Sequence, residues 1–93
     1  MIQTISRTLK EEVLFDPSGV KTVDWATYPI IHFSELPTVV KIELVDRPEE
    51  PPVGAGEATA LTVPAAIANA IFHATGIRLR TMPFTPEAVR RSA

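Results

Sequence analysis

The sequence contains no cysteine, only four glycines and 6% aromatic residues. Without thiols there is no disulfide framework, no zinc ribbon and no cysteine nucleophile. Neither sign of charge dominates. Nine Lys and Arg against eleven Asp and Glu give a net charge of −2, so no basic field exists to hold nucleic acid or an anionic membrane surface. No apolar run approaches the ~20 residues that span a bilayer. The opening MIQTISRTLKEE lacks the basic, apolar, small-residue order of a signal peptide. A soluble chain is the expectation from these absences.

What is present is ordinary globular composition: 93 residues, 45% hydrophobic and 22% charged. That is one small domain or a piece of a larger one. Nine prolines favour short, rigid connections. Ile2, Ile5, Leu9 and Val13 are spaced three, four and four, which predicts an amphipathic helix over 2–13. Arg7 and Glu11 would pair on its wet face. No capping residue precedes Ile2, so this helix reads as entered part-way, with more protein upstream.

Asp16-Pro17-Ser18-Gly19 has the residues of a type I turn, followed by a return strand over 20–25. Residues 28–31 read as extended, because the residue before Pro29 avoids the helical region, and 34–37 as a turn or a single helical turn. Val40, Ile42 and Leu44 alternate with Lys41 and Glu43, the period of a half-buried strand over 39–45. A proline-rich acidic loop, 46–52, and an irregular 54–59 follow. Pro64 to Thr75 is the clearest helix, ended by Gly76, with Ile67, Ala70, Ile71 and Ala74 as its inner face. Residues 77–79 suggest a short strand. Thr85-Pro86-Glu87 opens a last helix with Thr85 as cap. The fold class is α+β: a few short strands with two main helices.

Few residues suggest chemistry. Gly54-Ala55-Gly56-Glu57 is neither a dinucleotide fingerprint nor a P-loop. Two glycines do allow backbone to approach something bulky, and a carboxylate beside them could act as a base. A glycine turn with an exposed acid is the competing reading. His32 and His73 share no ligand spacing and read as structural or surface residues. Glu11-Glu12 and Glu49-Glu50 are adjacent pairs and read as solvated charge. Trp25 reads as packing beside Asp24 in the return strand. Arg78 and Arg80 would bind an anion or pair with the acidic loop. No metal-ligating set is apparent.

Four ordered blocks carry a resemblance: Gly54-Ala55-Gly56-Glu57; Pro64-Ala65-Ala66-Ile67-Ala68-Asn69-Ala70-Ile71-Phe72; Ala74-Thr75-Gly76-Ile77-Arg78-Leu79-Arg80; and Pro83-Phe84-Thr85-Pro86-Glu87. Upstream, Leu9-Lys10-Glu11-Glu12 with Phe15-Asp16, and Asp24 through Ile30, agree. Over nearly its whole length the chain resembles the C-terminus of the molybdopterin-binding large subunit of the xanthine dehydrogenase/aldehyde oxidase family. The likeness is greatest to the branch of isoquinoline 1-oxidoreductase β-subunits and nicotinate dehydrogenases. It departs at Ala58, where the family commonly has proline, and at Thr4, where glycine is usual.

The resemblance implies that Glu57 is the active-site base beside molybdenum, in an enzyme that hydroxylates N-heterocycles or aldehydes with water as oxygen source. Gly54 and Gly56 would let the loop lie against the cofactor, and Gln3 matches a glutamine near the pterin. The cofactor, molybdenum–molybdopterin, belongs to the parent enzyme, and none is expected in the isolated chain. Implied partners are the remainder of the large subunit and an iron–sulfur subunit, with a homo-oligomer of the fragment as a further prospect. The parent enzyme would be cytoplasmic or periplasmic. Residues 1–93 then form a single partial domain, inactive in isolation. The alternative is a stand-alone binding or assembly module without chemistry.

Overall fold

The computed structural model describes residues 1–93. Its elements in chain order are α1 (Ile2–Leu9), β1 (Phe15–Asp16), β2 (Gly19–Val20), a 3-10 turn (Phe33–Glu35), α2 (Thr59–Thr75) and α3 (Pro86–Arg91). The two strands form an antiparallel hairpin, with Phe15 opposite Val20 and Asp16 opposite Gly19, and α1 packs against α2. The arrangement is α+β, with the helices dominant.

Local chemistry accounts for most of the elements that match expectation. At the hairpin, the Asp16 carboxylate accepts from the Ser18 backbone N–H at 2.8 Å, and Gly19 takes a φ of 120°, which side chains rarely tolerate. Gly76 ends α2 with φ 74°, and its N–H donates to the Phe72 carbonyl at 2.7 Å. Thr85 caps α3 by accepting from the Ala88 N–H at 3.1 Å. In the same helix Glu87 pairs with Arg90.

Other expectations fail for reasons that lie outside the local pattern. Helix α1 ends at Leu9 and not at Val13. The Ser6 carbonyl takes both the Lys10 and Glu11 amides, which closes the helix early. Glu11 therefore leaves the helical register, forms no pair with Arg7, and instead accepts from the Tyr28 hydroxyl at 2.9 Å. The return strand is confined to Gly19–Val20. Asp24 and Trp25 lie in a turn, where the Asp24 carboxylate accepts from the Ala26 and Thr27 amides. Trp25 is 80% exposed, so it is not packed within this chain.

Residues 39–45 and 77–79 form no strand. A β-strand needs a neighbour to bond its backbone, and none lies beside either segment. Helix α2 starts at Thr59, one turn earlier than Pro64, and Pro64 falls inside it. The earlier start lengthens the helix but leaves the Ala60 carbonyl without the amide that residue 64 would have supplied. Of the expected inner face, Ile67 and Ile71 are half-buried while Ala70 and Ala74 are exposed. The covered stripe runs through Ala60, Val63, Pro64, Ile67, Ala68 and Ile71.

The core is minimal. Only Leu79 and Phe84 are buried apolar residues, and the other buried side chains are Thr4, Ser6 and Thr8 on α1. Their bonds are partly local and partly to distant segments. Thr8 Oγ1 donates to the Thr4 carbonyl at 2.7 Å, Ser6 Oγ accepts from the Ile31 N–H at 2.9 Å, and the Thr8 carbonyl accepts from the Phe84 N–H at 2.7 Å. Helix α1 is thereby the hub to which the middle segment and the C-terminal segment attach.

The radius of gyration is 16.6 Å, against about 12 Å for a compact domain of this length. The accessible surface is 7832 Å², against roughly 5,300 Å² for a compact monomer of the same mass.

Candidate functional site

Glu57 lies where the acidic, proline-rich loop turns into α2. Within the loop Arg47 and Glu49 approach to 3.7 Å, and the Glu50 N–H donates to the Arg47 carbonyl at 3.1 Å. The Glu57 carbonyl accepts from the Ala60 N–H at 2.9 Å, so its backbone is fixed to the first turn of α2. Ala58 is the N-cap and has no side chain able to accept a bond. The Glu57 carboxylate is exposed and has no hydrogen-bond or ion-pair partner in the chain.

Gly54 and Gly56 are equally open: a Cβ built at either would meet nothing within 4 Å. The 54–57 loop is a bare stretch of backbone ending in a free carboxylate.

Gln3 is exposed on α1 and lines a shallow cleft of about 370 Å³ with Arg7, Glu11, Trp25 and Ile31. Glu57, Gly54 and Gly56 line none of the five principal cavities. The structure therefore does not bring Gln3 and Glu57 into one cavity.

The largest groove, about 620 Å³, lies elsewhere, between Leu9, Pro29, Ile71, Phe84 and Val89, with Lys10 and Glu87 at its edge. Sequence reasoning did not single it out, because its walls come from α1, α2 and α3 and no local motif links them. Its walls are mostly apolar, and its two polar side chains able to donate, Lys10 and Thr85, are engaged by Glu35 and by the start of α3.

The remaining candidates are occupied structurally. Lys10 Nζ donates to Glu35 Oε2 at 2.6 Å, and the His32 N–H donates to the same oxygen at 2.8 Å. These bonds, that from Lys10 foremost, hold the Glu35 carboxyl below its ordinary pKa. The Tyr28 phenol is shifted upward by its bond to Glu11. His32 and His73 are exposed, and no cluster of three or more His, Cys, Asp or Glu side chains could hold a metal. Arg78 does not reach the acidic loop. It donates to Asn69 Oδ1 at 2.8 Å and lies 4.0 Å from the Phe72 ring centroid, which ties the segment after α2 back onto that helix.

Comparison with known proteins gives this loop a context. The chain is 50% identical over 90 residues, 97% of its length, to one of the subunits of nicotinate dehydrogenase from Pseudomonas putida, of which that match is 8%. The chain is similar to one segment of an oxidoreductase subunit. It is also 42% identical over 65 residues, 60% of its length, to a membrane-bound aldehyde dehydrogenase (pyrroloquinoline-quinone) of Gluconacetobacter polyoxogenes, of which that match is again 8%. The chain thus spans less than a tenth of the length of the curated relatives it matches. No protein-family model matches it, and no solved structure does. No helix is long and apolar enough to cross a membrane.

Proposed function

We propose that residues 1–93 are a single partial domain, the C-terminal piece of the large subunit of a molybdenum-dependent hydroxylase acting on an N-heterocycle or aldehyde, and that Glu57 is its general base. The observation that carries this reading is the near full-length similarity to a nicotinate dehydrogenase subunit, joined to a free carboxylate on a glycine loop. The residues present would contribute to a molybdenum–pterin site only from two separate places in this chain, the 54–57 loop and Gln3 on α1. Gly54 and Gly56 offer backbone without side chains, and Gln3 an amide. None of them encloses the group, and the chain lacks a ligand set that could hold a metal.

When bound by the assembled enzyme, the cofactor supplies the two-electron oxidation. The role assigned to this chain is proton transfer. A Glu57 oxygen accepts the proton of the water that provides the new hydroxyl, a contribution typically worth ~10²–10⁴ in rate. The backbone bond from Ala60 N–H to the Glu57 carbonyl keeps the base at a fixed point relative to α2 while its side chain stays free to reach the substrate. An iron–sulfur subunit would carry the electrons away. Alone, the chain would not turn over.

The test is Glu57→Gln in the assembled enzyme from the source organism. Hydroxylation should fall by at least ~10²-fold with subunit composition and cofactor content unchanged. Full activity in that variant refutes the assignment, and would leave the chain as a binding or assembly module.

A further inference from the structure

Residues 39–45 have the pattern of a strand and none of the pairing. Paired as a strand, Val40, Ile42 and Leu44 would share one side of the backbone, and Val39, Lys41, Glu43 and Val45 the other. Between the Leu36 N–H bond to Phe33 and the Glu50 N–H bond to Arg47, no backbone group of the chain makes a hydrogen bond within it. Ile42 is 82% exposed and Leu44 88%. A seven-residue run with free N–H and C=O groups and an apolar face is a template for strand addition.

We infer that residues 39–45 form a β-strand added to the open edge of a sheet in the remainder of the oxidoreductase subunit, on the same polypeptide or another. The inference rests on the reading of the chain as a piece of such a subunit. Two observations select this occupant over a second copy of the chain. First, the exposed surface exceeds that of a compact monomer by about 2,500 Å², roughly three times the ~800 Å² that each partner buries in a standard interface. Pairing two copies through one seven-residue edge would leave Trp25, Phe33, Phe15 and Leu61 in water. Second, the similar segment in each relative is 8% of a much longer protein, which is body enough to cover that area.

Lys41 and Glu43, at the centre of the other side between Val39 and Val45, stay wet, as in a sheet with one solvated face. The pairing also has a consequence for the base. With the strand fixed at Val45, the loop to Glu57 is anchored at both ends, by the sheet and by α2, and Pro48, Pro51 and Pro52 restrict what lies between.

Hydrogen exchange on the protein purified from its source tests this. Amides in 39–45 should exchange at least ~100-fold more slowly than in the 93-residue chain alone, at a native mass well above that of two copies. Ile42→Pro and Glu43→Pro each remove one amide, on opposite edges of the strand. At least one should lower the yield of assembled protein tenfold or more, while Ile42→Thr, which keeps the amide and the branched shape, should assemble normally. Free exchange across 39–45, normal assembly of both proline variants, or protection within a dimer of this chain alone would overturn the inference.

Glu57→Gln separates the two readings. Protected 39–45 with full turnover in that variant refutes only the base. Unprotected 39–45 with turnover abolished refutes only the strand.

Discussion

Ser6→Ala should destabilise the chain more than Thr8→Val, although Thr8 is the more buried residue, at 0% exposure against 3%. The reason is what each hydroxyl leaves behind. Ser6 Oγ accepts from the Ile31 N–H at 2.9 Å in a part-buried position, and nothing else in the chain receives that amide. Removing the acceptor leaves a half-buried donor without a partner, at about 1–2 kcal/mol. Thr8 Oγ1 donates at 2.7 Å to the Thr4 carbonyl, an acceptor already served by the i→i−4 ladder of α1. Valine keeps the volume and the branching, so the loss should stay below about 1 kcal/mol. In a domain of this size 1 kcal/mol corresponds to roughly 4–8 °C in Tm. Urea and thermal unfolding of the two variants, followed by far-ultraviolet circular dichroism with equal m-values, measures the difference. Equal destabilisation, or a larger effect for Thr8→Val, would refute the reasoning that stranded amides, not buried hydroxyls, set the cost.

Phe84→Ala removes one of two buried apolar side chains, a change worth about 3–5 kcal/mol. With so small a core the isolated variant should show no cooperative transition in the same experiment. Gly76→Ala places a Cβ at φ 74° and should cost about 1 kcal/mol, read as a lower Tm with native helix content retained. Glu35 has a depressed pKa in the folded chain because of Lys10, so its contribution is present above its unfolded value near 4.5 and is lost as pH falls through the folded value. The unfolding midpoint of Glu35→Gln should accordingly fall less steeply below about pH 4.5 than that of the parent. Tyr28 is shifted the other way by Glu11, and its ultraviolet titration should move down toward 10.0 in Glu11→Gln.

How far the candidate site can be read from the sequence depends on the distance over which each residue acts. Glu57 and its two glycines stand out as a short motif, and their exposure in this chain fits a base and a plain glycine turn alike. Gln3 is different. It stands on another element, and this chain alone does not place it beside Glu57. The apolar groove between Leu9, Ile71 and Phe84 was illegible, since its walls come from both ends and the middle of the chain.

The elements divide along the same line. By itself the sequence determined the turn at Asp16–Gly19, the left-handed stop at Gly76, the Thr85 cap and the α+β class, because each rests on contacts within a few residues. The tertiary structure bears on where α1 ends through Glu11, which leaves the helix to accept from the Tyr28 hydroxyl. It also decided that Thr4, Ser6 and Thr8, not the apolar stripe, are the most buried part of that helix. For residues 39–45 the two disagree outright: alternation specifies which way side chains would face, but only a neighbouring strand can accept and donate the backbone bonds that make a strand.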